Sequence, residues 1–383
     1  MDQTYSRHKG NSAITLKWGI PVYLLEDESL SSFLLRLSYA HGITSLALGE
    51  ILWPKKRVWT TDTDRMRLDA LHELSTATGI APDVLYKTTL SPLEINISNT
   101  ELTKRRGTVT PWVLTLGCRN RQREGGYNIC PSCFREDRAP YLRIHWRLAW
   151  HTACATHHCL LIDKCSKCLS PISPHLLSKD ICNLAYCSSC LFDLKEIRTE
   201  PCSQSALDIQ SLLDSIVSDG HGVFCDVSWD SVELFGYLSF LESLFRRAMR
   251  AGTSPLKSVF ECLQIKLPDV SDDLKGLKFE KLPSDVRHKL LIGFMQLLRL
   301  PLNDFYACLV QCGITRQSFI GDCKVVPPYI EALVQKLPDN KLSYERSARI
   351  SAWRPSPKYL VMRKLKQLIK SFKRHKNERK VIK

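Results

Sequence analysis

The chain has 383 residues, 44 % hydrophobic and 24 % charged, enough for two or three small domains with cores of their own, which argues against wholesale disorder. No stretch approaches eighteen consecutive apolar residues, and the opening MDQTYSRHKGN holds neither an apolar run nor a small-residue cleavage site. A soluble, intracellular, cytoplasmic protein without membrane contact is therefore expected.

The 54 Lys+Arg against 39 Asp+Glu leave a formal charge of +15, and that excess is local. From Arg354 to Lys383 twelve basic residues face only Glu378, a net +11, and from Lys104 to Arg147 ten basic face three acidic, a net +7; the rest of the chain is near neutral at −3. A basic tail plus a basic patch point to nucleic acid, or to an acidic protein or membrane surface. Sixteen cysteines without an export signal argue for metal rather than a disulfide framework. Nine lie between Cys130 and Cys190, while Cys225, Cys262, Cys308, Cys312 and Cys323 are scattered and read as ordinary buried thiols.

In chain order, Leu30, Phe33, Leu34 and Leu37 mark an amphipathic helix, with Asp27 as a candidate cap and Gly42 as its stop. Ile43, Leu46 or Leu48, Ile51 and Leu52 repeat the pattern, so the pair reads as a helix-turn-helix, though few basic side chains fall on its second helix. Two more helices follow, separated at Gly79 and Pro82. Ser91 to Arg106 is polar and reads as a linker.

Leu142, Ile144, Trp146, Leu148 and Trp150 alternate with Arg143, His145, Arg147 and Ala149, the period of a half-buried strand in a short hairpin. Trp146 and Trp150 are also four apart, which leaves a helix open; both read as core aromatics shielding a small metal module. After Pro201 helical patterning returns in SALDIQSLLDSIV, VELFGYLSFLESLFRRAM and VRHKLLIGFMQLLRL. NDFYACLVQCGITRQSFIGD fits a loose helix-turn-helix with Gly313 in its turn, Cys308, Cys312, Ile314 and Phe319 inside, and Leu309 where the motif usually has a small alanine. Met362, Leu365, Leu368, Ile369 and Phe372 form an apolar stripe in the tail. Behind it stand Arg363, Lys364, Lys366, Lys370, Lys373 and Arg374, the candidate phosphate-binding residues.

Four ligand pairs carry the strongest signal: Cys130 with Cys133, Cys154 with His157, Cys165 with Cys168, and Cys187 with Cys190. Each encloses two residues, the spacing with which a tight turn presents two side chains to one tetrahedral ion, and thiolate with imidazole favours zinc. Sequential pairing makes one site of three cysteines and a histidine and one of four cysteines. It is the preferred reading because the segment between Cys133 and Cys154 can close its own hairpin; cross-braced pairing stays open. His158, Cys159 and Cys182 break the spacing and are set aside. Four protein ligands leave no open position for an activated water, so two structural zinc ions are expected.

The Cys130-Cys133 pair lacks the proline and the preceding His-x-Glu of a nucleobase deaminase. Phosphate-binding, dinucleotide, metalloprotease and nucleophile-elbow motifs are missing as well. No catalytic residue is assigned, and the chain is read as a non-enzyme. The expected fold is mainly α, in four parts: a helix-turn-helix domain over 1–100, a tandem zinc-ribbon or zinc-knuckle module over 101–200, an all-helical domain over 201–353 and a basic amphipathic tail over 354–383.

Cys130-Pro131-Ser132-Cys133, Tyr141-Leu142-Arg143, Trp146-Arg147-Leu148, Cys154, His157, Leu160-Leu161 and Cys165-Ser166-Lys167-Cys168 together resemble the TniQ family of transposition proteins, which includes the TnsD target selectors. Asp27-Glu28-Ser29-Leu30, Ser32, Arg36, Leu71, Leu74-Ser75, Thr78-Gly79 and Thr88-Thr89-Leu90 agree with it, and the likeness spans about residues 20 to 190. The resemblance implies a non-catalytic adaptor between a target recogniser and the AAA+ regulator and transposase of a transposon. A short member of this kind resembles the TniQ of CRISPR-associated transposons, which docks on an RNA-guided Cascade complex, often as a homodimer. The basic tail keeps open the alternative of a TnsD-like selector that reads target DNA itself.

Overall fold

The computed structural model describes residues 19–60, 62–66, 68–98, 110–115, 127–250, 255–323 and 325–339, together with Met362 and Leu365. Among them the chain is mainly helical, with two short antiparallel hairpins.

Helix α1 (Leu30–Ala40) buries Leu30, Phe33, Leu34 and Leu37, as their spacing predicts. Its cap is Ser29 rather than Asp27: the Ser29 hydroxyl accepts from the Ser32 N–H, while Asp27 lies in the left-handed region at φ 52°. Gly42, at φ 63°, turns the chain into α2 (Ser45–Leu52). There Leu48 and Leu52 face inward, whereas Leu46 and Ile51 stay 64 % and 47 % exposed. α3 (Leu68–Thr78) and α4 (Pro82–Lys87) follow, divided at Gly79 as expected, and complete a small core with Trp53 and Val58.

The expected linker after Ser91 begins instead with a helix, α5 (Ser91–Ser98). Its polarity hides the reason: Leu90, Leu93 and Ile97 pack on the C-terminal helices, and Glu94 is buried in an ion pair with Arg65 at 2.8 Å. The Leu142 to Trp150 segment is not a strand. It makes a 3-10 turn over Ile144–Arg147 between isolated bridges to Glu28 and Val113. The alternation fails at Arg147, which is buried. Its guanidinium meets both carboxylate oxygens of Asp62 at 3.1 and 2.8 Å and Oδ2 of Asp64 at 2.5 Å, and donates to the Leu114 carbonyl at 2.7 Å. A charge so matched can occupy a position that periodicity assigns to solvent.

Before that turn comes α6 (Pro131–Glu136), and after it the two-residue strands β1 (Ala153–Cys154) and β2 (Cys159–Leu160), paired Cys154 to Cys159. Trp146 belongs to the small core around these elements, but Trp150 belongs to the C-terminal core. That core is built on α7 (Gln204–Asp219), a hairpin of β3 (His221–Phe224) and β4 (Val227–Asp230), α8 (Ser231–Arg250), α9 (Pro255–Cys262), α10 (Ser284–Arg299), α11 (Leu302–Gln311), α12 (Arg316–Ile320) and α13 (Pro328–Lys336). The loose helix-turn-helix of the sequence falls on α11 and α12. Leu309, Ile314 and Phe319 are fully buried there and Cys312 only partly; α12 has five residues, with α13 packed against it.

Candidate metal centres

The four ligand pairs come together sequentially. The ligand atoms of Cys130, Cys133, Cys154 and His157 all lie within 4.8 Å of one another, as do those of Cys165, Cys168, Cys187 and Cys190. In the first group Nδ1 of His157 stands 3.6, 3.4 and 3.4 Å from the sulfurs of Cys130, Cys133 and Cys154, and Cys133 lies 3.6 Å from Cys154. In the second, Cys165 to Cys190 is 3.7 Å and Cys168 to Cys187 is 3.6 Å. A tetrahedral ion bonded at about 2.3 Å to sulfur and about 2.0 Å to nitrogen sets its ligands about 3.5 to 3.8 Å apart, so both groups can hold a metal ion.

The turns that deliver these ligands share one construction. In three of the four pairs the residue after the second ligand is left-handed: His158 at φ 48°, Leu169 at 56° and Leu191 at 56°. In the second centre the two turns are near copies, Cys165 N–H donating to the Ser170 carbonyl and Cys187 N–H to the Phe192 carbonyl, each at 2.9 Å. The first pair differs. Cys130 caps α6, its sulfur accepting from the Cys133 N–H at 3.4 Å, and Pro131 opens the helix.

Hydrogen bonding and burial split the sulfurs of each group, lowering the pKa of Cys130 and Cys168 and raising that of Cys133, Cys187 and Cys190. The Cys133 and Cys154 thiols directed at Cys130 hold it toward the thiolate, its pKa lowered to about 6. Hydrogen bonds from Ser170 lower Cys168 to about 6. His157 turns its other nitrogen to Glu136, Nε2 to Oε2 at 2.9 Å, which fixes the ring with Nδ1 toward the sulfurs. Spacing alone missed Glu136; its place six residues after Cys130, at the end of α6, was the available signal. Among the residues set aside, His158 and Cys182 are exposed, while Cys159 is buried with its sulfur 3.7 Å from Cys130. None of the three joins either ligand group.

Residues 20–161 match the TniQ family model. That stretch is similar to a TniQ domain. TniQ is a transposition-associated family, and the domain is an accessory of transposition rather than a catalyst. No curated protein matches the chain. The first metal group lies wholly within the matched residues and the second beyond them.

The TniQ motif residues have structural work in this chain. Glu28 accepts from Ser32 Oγ at 2.8 Å and Arg36 Nη1 at 2.6 Å. Ser29 N–H donates to the Leu142 carbonyl at 2.9 Å, Leu142 N–H to Ser32 Oγ at 3.0 Å, and Ile144 N–H to the Asp27 carbonyl at 2.7 Å. The Asp27-Glu28-Ser29-Leu30 and Tyr141-Leu142-Arg143 motifs thus knit the N-terminal helices to the metal module. A second join runs through α2, where Ser45 Oγ donates to the His175 carbonyl at 2.9 Å and Trp59 stacks on the His175 ring at 5.7 Å.

Of the basic patch, Lys104, Arg105, Arg106, Arg119, Arg121 and Arg123 lie outside the described residues. Arg147 is spent on Asp62 and Asp64, and Arg143 on Asp137 at 3.1 and 2.8 Å. Of the tail, Met362 and Leu365 are described and stand 45 % and 47 % exposed. Arg363, Lys364, Lys366, Lys370, Lys373 and Arg374 lie outside the described residues.

Proposed function

We propose that this protein is a non-catalytic adaptor of transposition, joining a target-recognition complex, an RNA-guided Cascade assembly, to the AAA+ regulator and the transposase. In this reading it acts in the cytoplasm at the nucleoid, as a homodimer, with no membrane role. Zinc fills both four-ligand groups as a structural ion. Each metal would be saturated by the chain's own side chains, with no position left to activate water, and would contribute about 10 to 16 kcal/mol to folding a module whose apolar core is thin.

The observation that carries the reading is the surface of α2. A helix that reads DNA from a helix-turn-helix needs donors for phosphates and base edges. α2 holds no lysine or arginine and offers Leu46 and Ile51 to solvent instead, the character of a protein-facing helix. The +11 tail supports a second reading, a TnsD-like selector that binds target DNA directly. Co-expression with the guide-RNA complex separates the two. An adaptor co-purifies with that complex at salt concentrations that strip it from duplex DNA; a selector binds its target duplex specifically without the complex.

A further inference from the structure

Three cysteines that read as scattered core thiols come together. Cys262 ends α9, Cys308 sits in the last turn of α11 and Cys312 caps that helix, and their sulfurs all lie within 4.8 Å of one another. Cys308 and Cys312 are four apart and share a helix face; Cys262 reaches them from the neighbouring helix. Cys308 is buried and Cys312 half-buried, but Cys262 is exposed, so the group opens to solvent on one side. An exposed cysteine has no core to fill, and packing leaves its approach to two other thiols unexplained. Gln311 places Oε1 3.8 Å from the Cys262 sulfur, an oxygen at the open edge.

We propose that Cys262, Cys308 and Cys312 form a third, open metal site for a thiophilic divalent ion. Three sulfur donors select a soft or borderline ion of the zinc class over magnesium or calcium. Cys262 ends α9 and Cys312 is the C-cap of α11, and the negative end of a helix dipole favours a cation bound beside it. With three protein ligands instead of four, the fourth position falls to water, to Gln311 or to an incoming group. Such an ion is held more weakly than those of the closed centres and exchanges, and it would clamp α9 to α11. This assignment stands independently of the transposition reading.

The test is a zinc count on the full-length chain, kept reduced and anaerobic and dialysed against buffered free zinc. Wild type is expected to hold one zinc more than Cys262→Ser, three against two, with the extra ion the first removed by a chelator. Because Cys262 is exposed, its replacement by serine leaves the fold intact, and matching thermal unfolding of the two proteins after removal of the labile ion alone verifies this. Cys312→Ser should lose the same ion. Equal counts in wild type and Cys262→Ser would overturn the assignment. A count that is low by the same amount in both proteins would speak against a closed centre instead.

Discussion

Arg147 shows how much one side chain can carry. It is buried with Asp62 and Asp64, so Arg147→Met leaves two buried carboxylates facing no counter-charge and should cost about 3 to 5 kcal/mol in denaturant unfolding. A loss under about 1 kcal/mol would mean the pair is worth no more than a surface bridge. At the first metal centre Glu136 orients His157 from outside the ligand set. Glu136→Gln should weaken metal at that centre by about 10- to 100-fold in chelator competition and leave the second untouched. His288 supplies a pH dependence. Its Nε2 accepts from the Ser203 N–H at 3.1 Å, which leaves Nδ1 to donate to Thr152 Oγ1 at 3.0 Å, so the ring is neutral in the fold. Burial, with Lys289 adding to it, lowers its pKa to about 4. The unfolded chain takes up this proton near pH 6.5 and the native one only near 4, so the contribution is complete above pH 6.5 and lost as pH falls between those values, about 3 kcal/mol in all. His288→Asn should show a shallower loss of stability across that window.

At the scale of elements, apolar spacing marks α1, α3, α7, α8 and α10 because each buries one face in its own neighbourhood. The ligand pairs are legible for a similar reason: two residues between ligands is a local property of a turn. What spacing hides is whatever a distant partner decides. α5 looks polar until Glu94 meets Arg65, and the 142–150 segment looks like a strand until Arg147 is enclosed by Asp62 and Asp64. The convergence of Cys262 on Cys308 and Cys312 depends on how α9 packs beside α11, which neither segment encodes alone. The α8 to α10 contact is similarly tight. A Cβ at Gly293 would stand 2.6 Å from the Phe245 ring, inside a core where Phe245 cannot swing away. Gly293→Ala should therefore cost about 1 to 3 kcal/mol, despite the better helix propensity of alanine.

For the whole molecule, the N-terminal helices, the metal module and the C-terminal helices are tied by specific polar contacts. Arg287 of α10 donates to the Ala149 carbonyl and, at 3.3 Å, to Asn128 Oδ1, as Ser45 of α2 does to His175 on the other side. A frame so joined suits a protein that relays position between partners. The most direct measurement is targeted insertion in a system reconstituted from the target-recognition complex, the AAA+ regulator, the transposase and this chain. Insertion should fall to background without the chain and return with wild type. It should stay lost with the double variant Leu46→Asp, Ile51→Asp, whose metal content and thermal unfolding match wild type. Targeted insertion at full rate without the chain, or with the α2 variant, would contradict the account, as would strand cleavage by the chain alone.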